Sequence, residues 1–377
     1  MKRILSIVLI AAMLLSITAC SDGKSEKGDG YKAALLLNGN LGDKSFFDSS
    51  NAGLTKLRDE LGKDKFDFKV EEMGATPADE SKWAPTVEDY CESKEYDVII
   101  MGTWQMAGIL ADAAQKYPEQ KFIFFDEMFD FEAFKGRFAE GEEVPKNIYN
   151  VLYKQNEVSF LVGAAAALMT TDSSLPMIDP DNKLIGFLGG MENAVILDFL
   201  LGYIQGAQYV DPEVKVAIAY VTNFYDSAAG KDLALMQYNN GVDVGYNVAG
   251  GAGLGQIEAA VDANRYAFGV DSDQAALLPD MAKHIPTSAL KNVGNSLIRA
   301  IKNDIDGKLT YGVAESMGFA EGGVEIVKDE HYESMLPESI RTTIDQLEAD
   351  ITSGKIIVDT SFGKTDDEIK ALIKKSE

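Results

Sequence analysis

The stretch VIIMGTWQMAGILADAAQKYPEQKFIFF, residues 98–125, decides the fold. Val98-Ile99-Ile100-Met101 is apolar at every position, so as a strand it has no face to offer water and must be covered on both sides. Ala107 to Tyr117 follows with apolar side chains at helical spacing, and Pro118 ends it by removing a backbone donor. Phe122-Ile123-Phe124-Phe125 then repeats the all-apolar run. Two such strands joined through a helix make a βαβ unit, the building block of a parallel sheet.

Working outward, the same alternation continues in both directions. Ala33 to Leu37 and Phe66 to Val70 read as strands. Phe47 to Leu61 (Leu54, Leu57, Leu61) reads as a helix and Val87 to Ser93 as part of one, and Tyr149 to Tyr153 closes the first run. The pattern then restarts. Helices are expected at 158–169, 197–207, 228–238, 254–263, 290–301 and 336–351, and strands at 184–188, 214–221, 242–248, 266–270 and 285–288. Two successive β-α runs predict an α/β protein of two doubly wound parallel-sheet lobes. The 377 residues agree, being more than the ~250–300 at which single cores stop growing. The acidic runs Glu140-Gly141-Glu142-Glu143 and Asp366-Asp367-Glu368 read as solvated loops or helix starts.

The front of the chain has a different character. Lys2 and Arg3 precede an apolar run from Ile4 to Met13, and the segment ends in small residues, as a secretory signal does. Ile17-Thr18-Ala19-Cys20 resembles the bacterial lipobox, which implies cleavage after residue 19 and a lipid anchor on the Cys20 thiol. Residues 20–30 contain Gly, Ser and charge with nothing apolar to bury, and are expected to form a flexible leash at the extracytoplasmic face of the membrane.

Composition excludes several classes. Sixty acidic residues against 35 basic ones, a formal net charge of −25, oppose nucleic acid and anionic lipid as partners. With Cys20 lipidated only Cys91 remains, so no intrachain disulfide is available. The two histidines, His284 and His331, lie far apart and near no cysteine, so no metal site is expected. No G-x-S-x-G elbow occurs, and nothing points to a cofactor.

In open parallel sheets ligands bind beyond the carboxyl ends of the strands. Those ends are here followed by residues 38–43, 102–105, 126–127, 223–226 and 271–274, all rich in polar, small and aromatic side chains. Asp43 suits an N-cap to the following helix as well as a ligand contact, and Asp271 likewise. Phe46, Phe47 and Trp104 divide between core and cleft. The glycines of 249–255 look like a phosphate cradle, but with no basic residue nearby they are better suited to close packing of helix on strand.

Five segments in order carry a family likeness: Asp43-Lys44-Ser45-Phe46, Gly186 to Met191, Ala249 to Gly255, Gly269 to Gln274 and Thr287 to Lys291. Together they resemble the basic membrane protein family, PnrA-like substrate-binding lipoproteins of ABC transporters, over residues 31 to about 305. The resemblance implies a type I periplasmic-binding fold with lobes joined by three crossing segments, divided as 31–152 plus 290–325 and 153–289 plus 326–377. It implies a purine nucleoside as ligand, an ABC permease and ATPase as partners, and no catalysis. Phe46 is then expected to stack on the base, with Phe224 or Tyr246 on its other face. Asp271 and Lys291 are expected to hold the ribose, and Asp43 and Asp126 to stand in the cleft. Relatives usually carry asparagine where this chain has Phe47, which exchanges an amide for apolar surface, and Trp104 adds a further aromatic. A tethered sensor with the same cleft, and a secreted nucleosidase using the cleft carboxylates, are the competing functions.

Replacing the anchor thiol, Cys20→Ser, should move the protein from the membrane fraction to the soluble one; continued extraction by detergent alone would show a different anchor.

Overall fold

The computed structural model describes residues 30–129 and 146–374. The leader, Cys20, most of the leash and the acidic run at 140–143 lie outside the described residues. Among the described residues twelve strands fall into two six-stranded sheets. The first run supplies β1 (Tyr31–Leu37), β2 (Phe66–Glu72), β3 (Val98–Gly102), β4 (Lys121–Phe125) and β5 (Ile148–Tyr153). The second supplies β6 (Leu184–Gly189), β7 (Lys215–Tyr220), β8 (Val244–Val248), β9 (Tyr266–Asp271) and β10 (Ser288–Lys291), and β11 (Val313–Met317) and β12 (Val324–Ile326) come last. The orders are β11-β5-β4-β3-β1-β2 and β12-β10-β9-β8-β6-β7. All pairs are parallel except β10 with β12. The chain passes from the first sheet to the second after β5, back after β10, and across again between β11 and β12.

The all-apolar strands behave as their composition demands. Ala33, Leu35 and Leu37 of β1 point into one core and Ala34 and Leu36 into another; β3 and β4 alternate in the same way. Between them run α1 (Phe46–Leu61), α2 (Glu80–Ser93), α3 (Ala107–Lys116), α4 (Gln155–Thr170), α5 (Ala194–Val210), α6 (Ser227–Asn239), α7 (Leu254–Ala263) and the short α8 (Gln274–Leu277). After them come α9 (Val293–Ile305), α10 (Glu330–Met335), α11 (Glu338–Thr352) and α12 (Asp366–Ile373). The acidic run 366–368 opens α12, where Thr365 and Glu368 form a capping box. No described helix is long and apolar enough to cross a membrane.

One expectation is extended and two are corrected. Helix α2, of which Val87 to Ser93 was expected to be part, is longer than that segment: it begins at Glu80 and carries Pro85 inside it, burial of Trp83 and Val87 on one face outweighing the missing donor. The strand expected at 285–288 lies at Ser288–Lys291, and the helix expected from Leu290 starts only at Val293. Ser288 to Lys291 is held extended because β9 pairs with one side of it and β12 with the other. That second partner lies some thirty residues downstream, and neither it nor β11 is visible as an apolar run. The shift puts Lys291 at the carboxyl end of a strand.

Helices α4 and α5 touch backbone to backbone. A Cβ on Gly206 would lie 1.8 Å from the Phe160 carbonyl oxygen, and one on Gly163 would lie 2.0 Å from that of Tyr203. Gly206→Val should therefore force the helices apart and lower stability by at least ~2 kcal/mol in denaturant titration, an overpacking cost; an unchanged midpoint would contradict this contact.

Candidate functional site

A cavity of about 460 Å³ lies between the carboxyl ends of the two sheets and is lined by residues of both, a size within the ~300–1,000 Å³ usual for small-molecule sites. Its walls are made where strands end abruptly. Thr103 after β3, Asp126 after β4, Thr222 after β7 and Asp271 ending β9 all have left-handed backbone, with φ of 73°, 71°, 70° and 61°. All four line the cavity. Non-glycine residues in this region cost ~1–3 kcal/mol each and concentrate at functional sites.

At the deep end sits Lys291, its side chain only 4% exposed. The ammonium donates to Asp126 Oδ1 at 2.5 Å and lies 3.9 Å from Asp271 Oδ1. Asp126 comes from the first sheet, while Lys291 and Asp271 come from the second. Aromatic faces enclose the same ammonium: the Phe46 centroid is 4.8 Å away and that of Phe199 5.1 Å. Asp271 Oδ2 accepts a 2.6 Å hydrogen bond from Ser45 Oγ, and its Oδ1 is buried without a hydrogen-bond donor. Burial pushes the Asp126 carboxyl up to about 6, with Lys291 opposing the rise.

Eight of the nine expected cleft residues line this cavity: Asp43, Phe46, Phe47, Trp104, Asp126, Phe224, Asp271 and Lys291. Asp43 is occupied by capping α1: its carboxylate accepts from the backbone N–H of Ser45, Phe47 and Asp48 at 3.0, 2.9 and 3.1 Å. Burial nevertheless pushes it up to about 6. Phe46 packs on Phe125, with centroids 5.3 Å apart, and meets Phe47 edge-on at 5.2 Å. Phe47 needs its glycine: a Cβ on Gly39 would come within 2.1 Å of the ring. Gly190 gives the same room to Phe224, at 2.2 Å, on the opposite wall. Trp104 stands at the cavity wall 43% exposed.

Tyr246 is the correction. It lies in the middle of β8, wholly buried, with its ring against Phe187, Phe199 and Tyr203 and its hydroxyl 3.2 Å from Ser159 Oγ. It stands two residues before the strand end at Val248, on the face covered by α4 and α5, and so stops short of the cavity. Of the two aromatics considered for the second wall, only Phe224 reaches the cavity.

Sequence reading missed Phe199, which sits in a helix so apolar that nothing marks one phenylalanine as different. It also passed over Asn38, although the loop that follows β1 was singled out. Asn38 is 5% exposed and its Nδ2 donates to Thr103 Oγ1 and Gln105 Oε1 at 2.8 and 3.0 Å. A polar residue at the end of an apolar strand was the available signal. Among the described residues no group of three or more His, Cys, Asp or Glu could hold a metal ion.

Two doubly wound sheets facing each other across a cavity at their carboxyl ends define a solute-binding protein of the periplasmic type. Residues 31–361 match the model of the PnrA-like ABC transporter substrate-binding proteins, and the chain belongs to that family, which is one of solute-binding proteins and not of enzymes. It is 27% identical to basic membrane protein A1 of Borrelia garinii subsp. bavariensis, over 95% of this chain and 96% of the relative. It is 29% identical to an uncharacterized lipoprotein of Pyrococcus horikoshii, over 86% of this chain and 77% of the relative. An ABC transporter solute-binding protein of Aeropyrum pernix K1 shares the fold with a TM-score of 0.72 and 24% identity, covering 92% of this chain and 99% of that one.

Asp43 and the buried Asp198 of α5 are each pushed up to about 6 by desolvation. Each binds its proton more tightly in the folded state than in the unfolded one. Their stabilisation is full below about pH 4 and is lost as pH rises through 6. The melting temperature of the ligand-free protein should therefore rise between pH 7.5 and pH 5; a fall over that window would contradict the burial of these carboxyls.

Proposed function

We propose that this chain captures a purine nucleoside between its two lobes, outside the membrane, and delivers it to an ABC permease driven by separate ATPase subunits. One observation carries the reading: an aromatic plate, Phe46, and an acid–ammonium couple, Asp271 with Lys291, meet in one crevice though they come from distant stretches of chain. A purine has two flat faces, and stacking each on an aromatic ring is worth ~1–3 kcal/mol. Phe46 and Phe224, one from each lobe, are the plates. A ribose has vicinal hydroxyls that both donate and accept; a carboxylate takes the donors and an ammonium the lone pairs. Phe47 in the wall favours a base presenting less polar edge on that side. The site is one for holding: the acid and ammonium are paired, and Asp43 is spent on a helix cap.

The lobes are taken as the two sheets with their covering helices, so that the expected bounds, 31–152 plus 290–325 and 153–289 plus 326–377, shift by a few residues to keep β10 (Ser288–Lys291) and β12 (Val324–Ile326) whole in the second lobe. A lipid on Cys20 holds the protein at the extracytoplasmic face, a reading supported by the Pyrococcus relatives, which are named as lipoproteins. Calorimetric titration with inosine, guanosine and adenosine tests the ligand class. At least one should bind, and Asp271→Ala should weaken that binding by ~1–3 kcal/mol, the loss of a charged hydrogen-bond partner, without unfolding the protein. Unchanged affinity would remove Asp271 from the site, and release of free base during incubation would make the protein a nucleosidase.

A further inference from the structure

The two lobes are tied together by side-chain hydrogen bonds that the cleft itself does not require. The loop preceding α1 belongs to the first lobe and the loop following β9 to the second. Ser45 Oγ donates to Asp271 Oδ2 at 2.6 Å, Ser272 Oγ donates to the Ser45 carbonyl at 3.1 Å, and Gln274 Nε2 donates to the Lys44 carbonyl at 3.2 Å. Ser45 and Gln274 are wholly buried. Both sides are braced before they meet. Asp43 pins the first loop by accepting from the N–H of Ser45, Phe47 and Asp48. Gln274 is fixed by Val270 N and Asn247 Nδ2, which donate to its Oε1, and by its own N–H, which donates to Ser288 Oγ.

We infer that Ser45 is a positioning residue: its hydroxyl crosses from the first lobe to hold the Asp271 carboxylate of the second, and the three bonds together hold the lobes against each other as a clasp. The inference rests on the proposed role of Asp271 in ligand contact. With Oδ2 engaged by Ser45, Oδ1 is the oxygen turned to Lys291 and left for the ligand. Phe46 follows Ser45 directly, so the docking that sets the carboxylate also brings the aromatic plate to 4.8 Å from the ammonium. A hydrogen bond to a charged group, shielded from water, is among the stronger ones a protein makes. Opening the lobes at this point breaks three bonds at once, and ligand contact and lobe closure are thereby coupled through one hydroxyl.

The test uses the full chain with spin labels at two exposed positions, Asp89→Cys on α2 and Met236→Cys on α6, one in each lobe. In the ligand-free protein the interlobe distance distribution should contain a short-distance, closed population. Ser45→Ala should lengthen it, Ser272→Ala should lengthen it less, and Ser45→Thr, which keeps the hydroxyl, should restore it. Affinity for whichever nucleoside binds should fall about tenfold or more in Ser45→Ala, as for a lost charged hydrogen bond, and recover in Ser45→Thr. Distances unchanged in both alanine variants overturn the clasp, whatever the ligand. A loss of affinity that Ser45→Thr does not restore assigns Ser45 to packing and overturns its positioning role. Should Ser45→Ala not fold, the half-buried Ser272→Ala carries the distance comparison alone. Lengthened distances in a protein whose parent binds no nucleoside sink the nucleoside reading and leave the clasp standing.

Discussion

An ammonium buried between two carboxylates from different sheets is the constraint on which the cleft depends. Lys291 is cut off from water and so must be neutralised where it stands; Asp126 does this at 2.5 Å and Asp271 stands behind it at 3.9 Å. Desolvating such a pair is expensive, and removing one partner of a buried pair typically costs ~3–5 kcal/mol because the other is stranded. The arrangement holds only if β4, β9 and β10 deliver their last residues to one point. Asp126 and Asp271 do so by turning the backbone into the left-handed region immediately at the strand end. The ion pair thus joins the sheets electrostatically at the place where the chain also crosses between them.

Around that charge the walls are aromatic, and glycine provides their seats. Phe47 rests over Gly39, Phe125 against Gly102, and Phe224 over Gly190, in each case at a distance that leaves no room for a Cβ. Because Phe125 in turn supports Phe46, the plates are fixed by contacts with strand-end backbone and not by loops free to move. On the second lobe the close pairing of α4 and α5 sets Phe199 beneath the ammonium, completing an enclosure of rings and carboxylates.

The acidic composition has a local expression distinct from its surface effect. Asp43 is a carboxylate at a helix N-terminus, where the helix dipole and three N–H donors favour its charge while burial opposes it. Its structural duty is what stiffens the loop that carries Ser45 and Phe46. A residue that suited both a cap and a ligand contact makes the neighbouring cavity-lining residues possible by being a cap.

Much of this was legible in the residues alone, and the reason is periodicity. Strands apolar at every position, such as Val98 to Met101 and Phe122 to Phe125, admit no environment but a sheet covered on both faces, and so two parallel sheets with their ligand site at the carboxyl ends were determined locally. The loops that converge were legible too, because polar and aromatic residues at the ends of such strands stand out against them. What only the tertiary structure decided was everything that depends on a partner remote in sequence. Ser288 to Lys291 is a strand and not the start of a helix because β12 arrives beside it. Tyr246 is core because its side chain falls on the face of β8 that α4 and α5 cover, while Phe224, in the loop after β7, reaches the cavity. Phe199 joins the site, and Ser45 reaches Asp271, only once two lobes face each other. Local pattern carries information over the length of a strand or a helix turn; a contact spanning 226 positions, as between Ser45 and Asp271, is written in packing alone.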